Sequence, residues 1–370
     1  MICSGAYRRL DNILEYSRYH NPQVRALVWS LLSPGLVRAS DEFSACVSPQ
    51  WCQQIYQQLQ PFLEQLDNDP GLLTQWLERY RSWRLGVRFE AFWMFILERL
   101  QQQNELLCYS DHIQIQEPIK QGPFKKTLGE MDFVYMDNNH QLNHLEIAVK
   151  FYLLKPDEFG YERLVGPNGC DWYERKLLHL FKKQLPLSET PDAKEKLAEQ
   201  FKLGVQQVAC RQQGIIKGMI FFPVTGVGEL NDHEKKCINP DCLMGSWATM
   251  DNWHLADPGQ LGYWVILDKL NWLVPQVYSS LEDEWLSDGL YSAKEMAYKL
   301  KIHFHNTRRS ILIARLDYDK DKKLWLEQQR LMVVDKYWPN FKRPERMQGK
   351  DIQQSAVVQE NERLQGENND

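Results

Sequence analysis

The chain has 370 residues, 43% of them apolar and 12% aromatic, enough for one large domain or two ordinary ones with a real core. Lys and Arg number 44 against 49 Asp and Glu, and this net charge of −5 excludes a general basic excess, so any nucleic-acid binding needs a local patch. Apolar runs such as Ala91 to Leu97 are far too short to span a bilayer, the N-terminus lacks an apolar signal core, and the 8 irregularly spaced Cys read as reduced thiols of a cytoplasmic protein.

Residues 10–110 read as mostly helical. Leu10, Ile13 and Leu14 recur at helical spacing before a break at Asn21-Pro22. Val24, Leu27, Val28, Leu31 and Leu32 then predict a second helix, ended by Ser33-Pro34-Gly35. Further helices are expected over 49–66 and 71–80, and a strongly apolar one over 91–100 with Glu90 at its start. The alternation of Ile113 and Ile115 predicts a strand over 106–117. Residues 127–154 read as a β-hairpin, with strands over 131–136 and 142–153 around the turn residues Asp137, Asn138, Asn139 and His140. After a turn at Gly166–Gly169, Asp171 is placed as the N-cap of a helix to about Leu185, and helix continues over 189–202. Gly214 to Pro223 reads as a buried strand, 224–258 as loop, and 263–275 as a second apolar, aromatic segment. A short helix is expected over 292–300, then strands, or strand plus helix, over 310–316 and 324–335, with no internal repeat.

This order predicts an α/β (α+β) fold, a central mixed sheet flanked by helices. The expected organisation is a helical N-terminal region (1–83), a core (84–223), a C-terminal α+β extension packed on it (224–348) and a polar, disordered tail (349–370).

The hairpin carries the chemistry. Successive side chains on a strand point to opposite faces. Leu145, Ile147, Val149 and Phe151 therefore form a core face, and His144, Glu146, Ala148 and Lys150 line the other. Buried charge is costly unless it is paired or bound to metal, so Asp132, Glu146 and Lys150 need a reason to be there. A structural ion pair is one reason. The other is metal-assisted phosphodiester hydrolysis: carboxylates hold a hard divalent cation, and a lysine orients water or stabilises the transition state. Glu90 offers a further carboxylate.

Helix, strand, hairpin, helix and strand, with Glu on the first helix, Asp on the second strand and Glu plus Lys on the third, resembles the PD-(D/E)XK nuclease superfamily. The strings Leu128-Gly-Glu-Met-Asp-Phe133 and His144-Leu-Glu-Ile-Ala-Val-Lys-Phe-Tyr-Leu153 are similar to the core of a bacterial domain-of-unknown-function family, number eighteen fifty-three. Arg84 to Glu90, Gly166 to Asn168 and Trp272 to Pro275 look like its other blocks. The family likeness spans most of residues 20–340, and the superfamily likeness about 84–223. The resemblance implies a metal-dependent nuclease acting on DNA or RNA, with Mg²⁺ or Mn²⁺ held by Glu90, Asp132 and Glu146, and with Lys150 joining Asp132 and Glu146 in catalysis. The superfamily pattern places its lysine two residues after the Glu, where this chain has Ala148, and Lys150 lies two residues further on the same face. That departure leaves a catalytically degenerate nucleic-acid- or protein-binding module as the alternative. Lys176 and Gln184, on the following helix, are the further contacts that the resemblance implies.

Outside the hairpin, Lys294, Lys299, Lys301, Arg308 and Arg309 make a basic stretch with Tyr298, His303, Phe304 and His305 interleaved. It would either track a phosphate backbone or form a solvated helix face followed by a strand. Lys120, Lys125 and Lys126 would line the same cleft, and Glu130 reads as a solvated charge or as a further carboxylate serving the metal. His144 would contact phosphate or metal, or be a satisfied strand histidine. His233, Cys237 and Cys242 fit no strong zinc spacing.

Overall fold

Among the described residues, all eleven strands join one mixed sheet. The computed structural model describes residues 18–118, 125–156, 162–226, 230, 232–260, 262–279 and 289–339. The expected helix around Leu10, Lys120 and the polar tail lie outside them.

Four helices come first: α1 (Pro22–Leu32), α2 (Pro49–Asn68), α3 (Gly71–Glu78) and α4 (Leu85–Gln102). Asn21 and Ser48 cap α1 and α2 with their side chains, each just ahead of a proline that suits the first turn. Phe89, Phe92, Trp93, Ile96 and Leu97 of α4 are almost fully buried, each stabilising by about 1.5–3 kcal/mol. Because α4 already begins at Leu85, Glu90 lies inside the helix and not at its start. Nothing in Arg84-Leu-Gly-Val-Arg breaks a helix, since an isolated Gly is tolerated.

Strands β1 (Leu106–Pro118), β2 (Lys125–Asp137) and β3 (Leu142–Pro156) form an antiparallel meander, which β4 (Glu162–Val165) extends along the far end of β3. Helix α5 (Tyr173–His179) runs into a π-helical turn over Leu180–Gln184 and a 3-10 turn over Leu185–Glu189. Asp171 does not cap it. Trp172 holds that position without a side-chain bond, because the Asp171 carboxylate is taken by Lys150. Nor does the charged helix continue from Glu189: Thr190 caps a new helix, α6 (Pro191–Phe201), with Pro191 at its first position.

Strand β5 (Cys210–Pro223) pairs parallel to β3. The segment expected to be loop contains helix α7 (Asp232–Cys237) and strand β6 (Leu243–Thr249). Strand β6 lies inside the sheet between two parallel neighbours, so packing on both faces removes the alternation by which a strand is read. The chain continues through β7 (Tyr263–Leu267), β8 (Val277–Tyr278), β9 (Tyr291–Ser292), α8 (Ala293–Asn306), β10 (Ile311–Asp319) and β11 (Leu324–Val334). The last two are both strands. Helix α8 runs to Asn306, past the expected end, behind a capping box of Ser292 and Glu295. The sheet order is β1-β2-β3-β5-β6-β11-β10-β7-β9, with β4 on β3 and β8 on β11, so the expected α/β architecture is present.

Alternate strand residues feed opposite layers. Phe133, Tyr135, Leu145, Ile147, Phe151 and Phe221 pack on α1–α4. Tyr152, Leu154, Ile216 and Ile220 pack on α5 and its π turn, Val134 and Met136 on α6, and Ile313 and Leu331 on α8. Two buried charges are fully partnered. Lys217 donates to the carbonyls of Leu31 and Ser33 at the end of α1, and Arg330 pairs with Glu327 at 2.6 Å and donates to the carbonyls of Trp272 and Val274. No helix among the described residues is long and apolar enough to cross a membrane.

Candidate active site

The β2–β3 ladder stops at Phe133 and Leu145. The next facing pair would be Asp132 and Glu146, and there the strands part. Side chains replace the missing backbone bonds: the Asp132 N–H donates to Glu146 Oε1 (3.2 Å), and the Ile147 N–H donates to Asp132 Oδ2 (2.9 Å). The two carboxyl groups thus sit in the fork where the sheet opens. Backbone groups this far from water need a partner, and these acids supply it.

Glu146 is fully buried. Its Oε1 also meets His144 Nε2 at 2.9 Å, and its Oε2 accepts a short 2.6 Å bond from Gln184 Nε2. Gln184 Oε1 in turn accepts from Lys176 Nζ at 3.0 Å and lies 2.9 Å from His179 Nδ1. Positions eight apart on an α-helix differ by about 80° in direction, at 3.6 residues per turn. The wider turn of Leu180–Gln184 changes that winding and lets Gln184 meet Lys176, the kind of place where π turns recur at functional sites.

Three further groups face this cluster. Glu90, from α4, is close enough for its charge to act on Asp132. It lies 3.7 Å from His112 Nε2, while His112 Nδ1 is 2.9 Å from Asp111. The nearby Glu90 carboxylate, more than the bond to Asp111, pushes the His112 imidazole up to about 9 against an opposing push from burial. Lys150 Nζ pairs with Asp171 Oδ2 at 2.5 Å, both about one-third exposed.

The electrostatics are strained in one direction. Burial first, then the charge of Glu146, push the Asp132 carboxyl up to about 8; Glu90 adds to this, while the Ile147 bond and Lys176 oppose it. Burial and then the Lys150 charge pull Lys176 down, against Asp132, Glu146 and Asp171. The cleft holds more negative charge than its ammonium groups neutralise at Asp132. Hard oxygen donors with uncompensated buried charge suit a divalent cation such as Mg²⁺ or Mn²⁺. The shell is not ready-made: among the described residues, no three His, Cys, Asp or Glu side chains form a metal-holding group. Glu146 would have to exchange its Gln184 or His144 bond for the ion.

Asp132, Glu146, Glu90, Lys176 and Gln184 thus come together from α4, β2, β3 and the segment from α5 to its π turn, with Lys150 beside them. His144 meets the satisfied strand-histidine reading, its Nδ1 lying 3.2 Å from the Leu185 carbonyl. Sequence reasoning missed His112 and gave Asp171 a different role. His112 carries a positive φ of 49° in the middle of β1, where the ladder to β2 skips it between Asp111 and Ile113, a backbone irregularity that no residue pattern announces.

The basic stretch is spread over helix α8 and the segment that leads into β10. Lys299 lies 4.7 Å above the Tyr291 ring, Lys301 is exposed on α8, and Arg308 lies 5.5 Å from the Tyr337 ring. Lys125 is exposed, and Lys126 pairs with Glu117 at the outer end of β1 and β2. Glu130 accepts from Gln114 at 3.3 Å. Cys237 and Cys242 are buried in the apolar cluster under α5. The side chain of His233 lies outside the described residues.

A family model described as "Domain of unknown function (DUF1853)" matches residues 25–334. No curated protein and no solved structure matches the chain.

Proposed function

The chain belongs to that family of domains of unknown function, and from its cleft we propose that it is a metal-dependent nuclease of PD-(D/E)XK type, hydrolysing phosphodiester bonds in DNA or RNA. The observation that carries this reading is the fork itself. Two acids from diverging strands lie within backbone reach of each other, and Glu90 and the Lys176 ammonium are both close enough for their charges to act on Asp132.

Asp132, Glu146 and Glu90 would hold Mg²⁺ or Mn²⁺. When bound, the ion supplies positive charge beside the scissile phosphate and lowers the pKa of water. The protein's own groups do the rest. Gln184 ties Lys176 to Glu146 and so fixes the ammonium over the acids. Lys176, with its pKa pulled down, orients the attacking water and donates toward the phosphate oxygens as charge builds there. The water oxygen forms the new bond to phosphorus and gives up a proton to solvent, the bond to the leaving oxygen breaks, and that oxygen takes a proton from solvent. This assigns the reacting lysine to α5 and not to β3. Lys150 is engaged by Asp171 and acts as a positioning residue for that loop.

The second reading is a nuclease-fold module that binds without cleaving. Ala148 at the usual lysine position and the occupied oxygens of Glu146 favour it. One experiment separates the two. Purified protein is incubated with end-labelled single- and double-stranded DNA and RNA in Mg²⁺ or Mn²⁺. The nuclease reading expects cleavage that EDTA and Asp132→Ala both abolish. Cleavage that survives Asp132→Ala rules out this site, and no cleavage of any substrate favours the binding module.

A further inference from the structure

Just ahead of α4, Trp83 is 66% exposed, an unusual position for so large an apolar ring. Two cations lie against it: Lys269 Nζ at 4.9 Å from the ring centre, and the Arg84 guanidinium at 5.9 Å. Lys269 also lies 5.9 Å from the buried Trp272. The charge of Arg309 acts on Lys269 and, after burial, helps pull its ammonium down. Next to Arg309, Arg308 and Lys336 lie 5.5 Å and 5.0 Å from the ring of Tyr337, which is 54% exposed. Asp335, the nearby acid in sequence, is buried and accepts the Tyr337 N–H.

Four separate chain segments thus bring five cations and two exposed rings to the same end of the sheet, where β7 and β11 finish and β10 begins, in a chain whose net charge is −5. Among the described residues, none of Arg84, Lys269, Arg308, Arg309 and Lys336 forms an ion pair. Beyond the cation–ring contacts folding gains little from this arrangement, because like charges repel and exposed aromatic area stays in water. The pattern fits a ligand with regularly spaced negative charge and flat apolar faces.

We propose that this surface binds single-stranded nucleic acid, with an unpaired base stacked on Trp83, a second on Tyr337, and the phosphates between them met by Lys269, Arg308 and Arg309. A stacked base needs a free face, and a duplex offers one only at its end. An acidic peptide would meet the cations but leave both rings unused. As a statement about substrate class, the inference rests on the nuclease reading. Arg84 precedes Glu90 by six residues, about 9 Å of helix axis and so about three stacked nucleotides. A strand anchored on Trp83 would therefore reach the cleft.

Binding is measured apart from cleavage, in Asp132→Asn protein with EDTA. Fluorescence anisotropy follows a labelled twelve-residue oligothymidylate and a blunt duplex of equal length. The expected result is a clear preference for the single strand, a loss of about tenfold or more on Trp83→Ala, and recovery to within about threefold on Trp83→Phe. Arg309→Gln should lower the salt slope by about one. Trp83 is exposed, so these variants should fold, and circular dichroism checks that they do. Unchanged affinity in Trp83→Ala, equal binding of the duplex, or equal competition by polyglutamate overturns the proposal. The two readings fail separately. Single-strand binding with no cleavage by wild type removes the nuclease but keeps the platform, while full cleavage by Trp83→Ala with unchanged affinity does the reverse.

Discussion

Asp132→Asn separates an electrostatic cleft from a merely structural one. An asparagine oxygen can still accept the Ile147 N–H, so packing is kept and only the titration is removed. In the folded chain, burial and then Glu146 push the Asp132 carboxyl up to about 8. In the unfolded chain an aspartate titrates near about 3.9. Below about pH 4 both states hold the proton, and Asp132 adds no pH dependence. Between about 4 and 8 the unfolded chain has released it and the folded chain has not, so raising the pH favours unfolding, and above about 8 the loss is complete. At about 1.4 kcal/mol per pH unit, four units set a ceiling of about 6 kcal/mol. Exchange with nearby Lys176 and Glu90 and local entry of water bring the expected loss to about 2 kcal/mol or more. Urea unfolding of both proteins from pH 5 to pH 8, without divalent ions, reads this directly. The variant should gain on wild type as pH rises, and parallel pH dependence in the two would refute the reasoning.

Lys176→Met should lower metal-dependent cleavage by about 10²–10³-fold, while Lys150→Met should cost much less, and single-turnover rates at saturating Mn²⁺ compare them. Glu327→Leu strands the buried Arg330 charge and should destabilise by about 3–5 kcal/mol in urea unfolding, and the Glu327→Leu/Arg330→Met pair should recover part of that. Gly218 has a φ of 137°, and a Cβ there would lie 1.7 Å from the Lys150 carbonyl oxygen. Gly218→Ala should therefore cost several kcal/mol, or about 3 or more, because the β3–β5 ladder must open beside the cleft; thermal unfolding tests it.

The parts of the fold that could be read from sequence were those governed by periodicity. The apolar stripe of α4 and the alternation across β2 and β3 placed Glu90, Asp132 and Glu146 on the right elements. What escaped depended on contacts remote in sequence. Asp171 has the composition of an N-cap, but Lys150, on β3, claims its carboxylate. Lys176 and Gln184 look poorly aligned on an ideal helix, and only the π turn brings them together. Strand β6 is hidden because both of its faces are packed. His112 depends on a local left-handed backbone turn inside β1, and the Trp83 surface on four segments that meet only after folding.

The central claim, that the fork of Asp132 and Glu146 is a cation site, is tested most directly by calorimetric titration of the purified chain with Mn²⁺. The account predicts saturable binding with proton release, lost in Asp132→Asn and in Glu146→Gln and kept in Lys150→Met. No binding by wild type, or binding unaltered by Asp132→Asn, would contradict it.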